Sequence, residues 1–256
     1  INTAAATASY AFNHTNITGN QNYELEVTQG TTTIVKKFTA VVSPTVVSET
    51  IPAGLVDGIN YNPNDATKAT LVLDAPLKDF VYVAGSFNNW QPTAAYAMKK
   101  DASAGSTKFW LELTGLTAGT NYTYQYWVVD QTPLAGSPSL VKAADPYSTL
   151  VLSPYDDGGI PATSFPNLPA YPSGQEREVT WFKTGQTPYA WSQATLNFVK
   201  PAKEKLVVYE VLVRDFDARR NFQDLIDKID YFKNLKVNAI QLLPVMEFEG
   251  NESWGY

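Results

Sequence analysis

Through its first half the chain alternates apolar and polar residues with the two-residue period of strands, and near its end the period lengthens to that of a helix. KATLVLDAP (68–76), DFVYVAGSF (79–87), TKFWLELTGL (107–116) and NYTYQYWVVD (121–130) follow one another at the spacing of a β-sandwich. Successive strand side chains point to opposite faces, so Leu71 shares a face with Leu73, Phe109 with Leu111 and Leu113, and Tyr122 with Tyr124 and Tyr126. These are the predicted core. The same count sets Trp110 with Glu112, and Trp127 with Thr123 and Gln125, on the opposite and more polar face.

Upstream, YELEVTQG and TTTIVKKFTAVV flank the turn-like Gln29-Gly30 and predict a hairpin over 23–42, similar to the closing strands of an immunoglobulin-like repeat. A hairpin alone is marginal in water, so its strands are expected to find further partners. The Pro, Gly and Asn content of 48–65 predicts a linker. Residues 154–203 are dense in Pro, Gly, Tyr and Ser, yet Tyr171, Trp181, Phe182, Tyr189 and Trp191 are too apolar for a solvated tether. They predict an ordered strap.

The apolar run 206–213, broken only by Glu210, has the pattern of a strand covered on both faces. Phe222, Leu225, Ile226, Ile229, Phe232 and Leu235 then form one helical stripe, with Asn221 as its N-cap and Asp224 in its first turn. A second strand over 237–243 ends near Pro244, which cannot donate to a ladder. Strand, helix and strand make a βαβ unit, the opening of a doubly wound sheet or of a (β/α)₈ barrel.

YEVLVRDF, NAIQLLPVMEFEGNESWGY, VYVAGSFNNW and ADPYS together resemble the amino-terminal half of a glycoside hydrolase family 13 protein of the α-amylase, pullulanase and isoamylase kind. The resemblance runs from about Ile51 to the end and, with the partial immunoglobulin-like strands over 1–48 before it, implies a mainly β chain: an early-set β-sandwich similar to carbohydrate-binding module family 48 over 49–155, the strap over 156–203, and the start of a (β/α)₈ barrel over 204–256. It implies retaining hydrolysis or transfer at α-glucosidic bonds, with starch, glycogen or pullulan as substrate. A retaining mechanism needs two carboxyl groups about 5 Å apart. In the family they follow the fourth and fifth barrel strands, so the chain is expected to be a truncated piece of its parent and inactive alone. A whole barrel needs about 250 residues, far more than follow Glu204.

The carboxylates Glu210, Asp215, Asp217, Glu247, Glu249 and Glu252 are therefore read as structural, Glu210 and Asp215 pairing with Arg214 or capping backbone groups. By resemblance Tyr256 stacks on a sugar beside the scissile bond, and Trp254 holds the loop around it. Trp90 and Asn89 are the candidate glucan-binding residues of the sandwich, with Asn88 and Gln91 likewise available to hydrogen-bond hydroxyls. For Trp90 a sugar platform and a packing role both remain open. Trp110 and Trp127 are expected to pack, since large aromatics are more often buried than used.

A net charge of −6 argues against a polyanion-binding surface and hence against nucleic acid. The absence of cysteine removes disulfides and thiolate metal sites, and the single His14 leaves no Ser-His-Asp site. No apolar run is long enough to span a bilayer. A secreted, periplasmic or cell-surface protein is expected, with no cofactor in this chain, calcium open for the parent, and the oligomeric state open. The alternative function is a non-catalytic glucan-binding or interaction module. A Rossmann-type nucleotide binder fails for want of a G-x-G-x-x-G after the first strand of the terminal unit.

Overall fold

The computed structural model describes residues 11–245. The predicted hairpin forms as β1 (Gln21–Gln29) and β2 (Thr32–Ala40), a two-stranded antiparallel ribbon turning at Gly30, whose φ of 60° suits a residue without Cβ. Then follow β3 (Gly58–Tyr61), β4 (Ala69–Asp74), β5 (Phe80–Gly85), β6 (Lys99–Lys100), β7 (Lys108–Leu113), β8 (Tyr122–Val129), β9 (Leu140–Ala143), β10 (Val151–Leu152) and β11 (Val179–Phe182). They build two antiparallel sheets. One has the order β3-β4-β7-β6; the other runs β10-β11-β8-β5, with β9 also pairing with β8. Five short strands, β3, β6, β9, β10 and β11, lie outside the four predicted sandwich strands, β3 inside the predicted linker and β11 inside the predicted strap.

The sheets enclose the core that the alternation predicts. Leu71 stands opposite Leu111 and Leu73 opposite Phe109, and these pack with Val81, Val83, Tyr124 and Tyr126 of the facing sheet. Phe182 of β11 joins them, fully buried. The outer face is covered as well. Phe80, Tyr82, Ala84, Trp127 and Val129 form a second cluster under Val41 and Val46, because the chain leaving the hairpin runs across this sheet and then pairs with β6 at Ser48. Trp110 and Trp127 therefore pack, as expected. The Trp110 indole donates to Glu49 O at 2.9 Å and that of Trp127 to Gln125 Oε1 at 3.0 Å, with Lys99 and Lys142 lying over their rings.

One carboxylate organises the polar interior. Asp145 is buried, and its Oδ2 accepts from the hydroxyls of Tyr124 at 2.7 Å and Tyr126 at 2.9 Å, while Oδ1 accepts from Tyr147 N–H at 2.8 Å. Tyr147 in turn closes over Gly58, where a Cβ would sit 2.6 Å from that of Tyr147. Burial, foremost, and then the charge of Asp145, preceded at Tyr124 by that of Tyr126, push both phenols well above the ordinary tyrosine range. A folded-state pKa raised above the unfolded one gives stability that is complete below the unfolded value and lost as pH rises beyond it. Unfolding free energy measured in urea is thus expected to decline above about pH 10, where free tyrosine ionises. A flat profile there would contradict the buried pair.

The terminal unit has the predicted order. β12 (Val208–Val211) and β13 (Ala239–Leu242) pair in parallel, Val208 with Ala239 and Val211 with Leu242. Four short helices lie in this part of the chain: α1 (Gln193–Leu196), α2 (Val213–Phe216), α3 (Phe222–Asp227) and α4 (Ile229–Asn234). The last two divide the expected single helix at Lys228, whose N–H donates to Leu225 O in a tightened turn. Asn221 caps as predicted, its side chain accepting from Asp224 N–H. Val211, Leu225 and Phe232 form a small core with Tyr209, Phe216 and Val237 around it. Val208, Ile226, Ile229, Leu235, Ile240 and Leu242 stay exposed. No described helix is long and apolar enough to cross a membrane.

Candidate functional site

The loop after β5 carries the tryptophan singled out by the sequence, and it is held in an unusual backbone shape. Asn89 and Trp90 both lie in the left-handed region, at φ 53° and 59°. For asparagine this is tolerated, whereas for a bulky aromatic it costs on the order of 1–3 kcal/mol and persists only where the surroundings impose it. They do so here. Asn88 Oδ1 accepts from Gly85 N–H at 2.9 Å, its Nδ2 donates to Val83 O at 2.9 Å, and Trp90 N–H donates to Gly85 O at 2.9 Å. Gly85 has no room for a Cβ, which would lie 2.6 Å from Thr123 O. Asn88 is thus committed to the loop, contrary to its expected availability to a ligand.

Asn89 is exposed and Trp90 half-buried. Trp90 packs against the outer cluster of Phe80, Tyr82 and Trp127 and also lines an open groove of about 340 Å³. Asn89, Gln91, Trp127 and Lys142 line the same groove. The base of the β1–β2 ribbon lines it as well, through Asn22 to Glu24 and Lys37 to Thr39, with Gln175 and Glu176 from the strap. The ribbon is tied down at Asn20, whose Nδ2 donates to Pro92 O at 2.7 Å and whose Oδ1 accepts from Val42 N–H at 2.8 Å. Tyr82 Oη donates to Val42 O at 3.1 Å and anchors the return strand to the sheet.

The charges along the groove are paired. Lys37 Nζ lies 3.2 Å from Glu24 Oε2, and Lys142 Nζ lies 3.6 Å from Glu176 Oε2. Two ammonium groups face two carboxylates, so a charged ligand gains no net attraction. An indole flank, amides, hydroxyls and balanced charges suit a neutral, hydroxyl-rich molecule with an apolar face, which is the chemistry of a sugar ring.

On the terminal unit the described carboxylates are occupied. Asp215 accepts from Arg214 Nε at 2.9 Å, and that guanidinium hydrogen bond holds its carboxyl below the usual range. Glu210, expected to pair with Arg214 or cap backbone, instead accepts from Gln241 Nε2 at 2.9 Å across the parallel pair. Asp217 accepts from Ala218 N–H at 2.7 Å. Among the described residues no group of acidic or histidine side chains could hold a metal ion. Trp254 and Tyr256, with Glu247, Glu249, Asn251 and Glu252, lie outside the described residues, so of the binding residues named from the sequence the groove contains Trp90, Asn89 and Gln91. The hairpin residues of the groove carried no signal that sequence reasoning could have used, since their approach to Trp90 depends on contacts between distant parts of the chain, Asn20 to Pro92 and Tyr82 to Val42.

No family model matches the chain. Among curated proteins it is 40% identical over 60 residues to the malto-oligosyltrehalose trehalohydrolase of Saccharolobus solfataricus, a match covering 23% of this chain and 11% of that enzyme. The trehalohydrolase of Deinococcus radiodurans is 36% identical over 81 residues, 32% of this chain and 12% of its own. The longest of these alignments reaches the 1,4-α-glucan branching enzyme of Cupriavidus pinatubonensis, 29% identical over 193 residues, 71% of this chain and 22% of the relative. The chain is thus similar, over between about a tenth and about a fifth of their lengths, to enzymes whose names carry malto-oligosyltrehalose and 1,4-α-glucan as substrates.

Proposed function

We propose that the chain is the amino-terminal part of an α-glucan-active enzyme of glycoside hydrolase family 13, in which the β-sandwich binds glucan at the Trp90 groove and the βαβ unit opens the catalytic barrel. The single observation that carries the glucan-binding part is the strained, half-exposed Trp90 on the wall of a charge-balanced groove. The named substrates of its relatives agree in kind. Retaining chemistry needs a carboxylate pair, and the described rim carboxylates Asp215 and Glu210 are engaged by Arg214 and Gln241. Catalysis is accordingly assigned to residues of the parent beyond those described. By resemblance alone, Tyr256 keeps its proposed place as a sugar platform beside the scissile bond and Trp254 its proposed part in holding that loop.

Retention of the purified chain on glycogen or amylose tests this reading. The wild-type chain is expected to be retained and to release no reducing sugar from starch or pullulan. Trp90→Ala should weaken glucan binding by roughly thirtyfold, the effect of removing a well-packed aromatic anchor worth about 2 kcal/mol. Reducing sugar released by the chain itself would assign catalysis to carboxylates read here as structural.

A further inference from the structure

Strand alternation divides the ribbon into two unlike faces. Tyr23 stacks on Phe38 with ring centroids 5.3 Å apart, and Leu25, Val27 and Ile34 lie on that same face. The opposite face is polar toward the ribbon's base. There Asn22 stands opposite Thr39 and Glu24 opposite Lys37, with Thr39 Oγ1 donating to Asn22 Oδ1 at 2.8 Å. These polar residues line the same groove as Trp90, together with Tyr23 and Phe38 between them.

We propose that this polar face is the second wall of an oligosaccharide clamp. Trp90 takes the flat face of one sugar ring, and the Glu24–Lys37 pair takes the hydroxyls of the ring beside it. The carboxylate accepts from vicinal hydroxyls and the ammonium donates to their oxygens, while Asn22 and Thr39 add an amide and a hydroxyl. The pair is well placed for this and does little else. Both side chains are more than half exposed, and an exposed ion pair contributes little to folding. The ribbon is tied to the sandwich by the Asn20 bond to Pro92, two residues beyond Trp90, and by the Tyr82 bond to Val42 O, so the two walls are referenced to each other through short paths. Two walls on adjoining rings select a chain of sugars over a single ring. The clamp rests on the glucan-binding reading of Trp90 given above, which it sharpens by adding residues and a length preference.

Titration calorimetry of the full chain with maltoheptaose and with maltose tests it. The variants are Trp90→Ala, the charge-neutral double Glu24→Gln with Lys37→Met, and a control at the far end of the ribbon, Thr28→Ala with Thr33→Ala. The clamp predicts that the double variant binds maltoheptaose roughly fivefold more weakly, the loss of about one hydrogen bond's net contribution, with an unchanged melting temperature. Its preference for maltoheptaose over maltose should shrink, and the far-end control should bind like wild type. Unaltered binding by the double variant beside a weakened Trp90→Ala would overturn the clamp and leave the glucan-binding reading standing. Equal losses in the double variant and the far-end control would also overturn it, because the ribbon would then act through its folding. Failure of the wild-type chain to bind either sugar would overturn both readings.

Discussion

Replacing Asp145 with alanine is expected to lower the unfolding free energy by about 3–5 kcal/mol. The substitution strands the Tyr124 and Tyr126 hydroxyls in the interior and removes the acceptor of the part-buried Tyr147 N–H. A buried donor left without an acceptor costs about 1–3 kcal/mol, and contributions from one shared acceptor do not simply add. No cation offsets the carboxylate in the hydrogen bonds it makes, so its worth lies in serving three donors at once. Asp145→Asn keeps a single carbonyl oxygen in its place and should lose roughly half as much. Urea denaturation reads both values, and an alanine variant within 1 kcal/mol of wild type would mean that water replaces the carboxylate. A domain commonly has about 5–15 kcal/mol of stability, so this one side chain accounts for a large part of the margin.

The four long sandwich strands were legible as apolar-rich runs of six to eight residues between turn residues, and in β7 and β8 the alternation also settled which residues meet in the core. Trp110 and Trp127 illustrate what alternation can and cannot say. It set them on the face away from Leu111 and Tyr126, and that is where they are. That face is nevertheless covered, by 41–49 and by lysine stems, which a strand period cannot reveal. β3 and β11 were missed for a different reason: a strand of four residues beside turn residues shows too little periodicity. The split of the terminal helix at Lys228 is equally silent, since the apolar stripe continues through it and neither Gly nor Pro marks the break.

The candidate site was half legible. Trp90 and Asn89 stood out by resemblance, and the structure sets them on a groove. Asn88 looked equally available, but its amide is spent on Gly85 N–H and Val83 O, a commitment that only the folded loop displays. The proposed second wall comes from the hairpin, whose own pattern reads as a generic amphipathic ribbon. Nothing local distinguishes Glu24 and Lys37 from any cross-strand ion pair; their place on one groove with an indole does.

Phe182→Ala should be as damaging as the loss of Asp145, and it probes a different part of the argument. Phe182 is fully buried although it belongs to the Pro- and Gly-rich stretch that resembled a strap. Its ring stacks on Tyr122 at 5.4 Å and meets Tyr124 edge-on at 5.5 Å. Large-to-small changes at such aromatic positions cost about 3–5 kcal/mol, part from lost transfer and part from the cavity. Phe182 also touches Phe87 at 6.3 Å, inside the loop that presents Trp90. The variant should therefore weaken glucan retention while the chain is still folded, because the left-handed backbone at Asn89 and Trp90 depends on the loop being held. Phe182→Leu, which keeps much of the volume, should recover a good share of both properties. Hydrogen exchange gives the sharper reading: if β11 is integral to the sandwich, amides of β8 lose protection together with those of β11. Loss confined to β11 would make it a detachable strap, and the groove would then keep its shape when Phe182 is cut back.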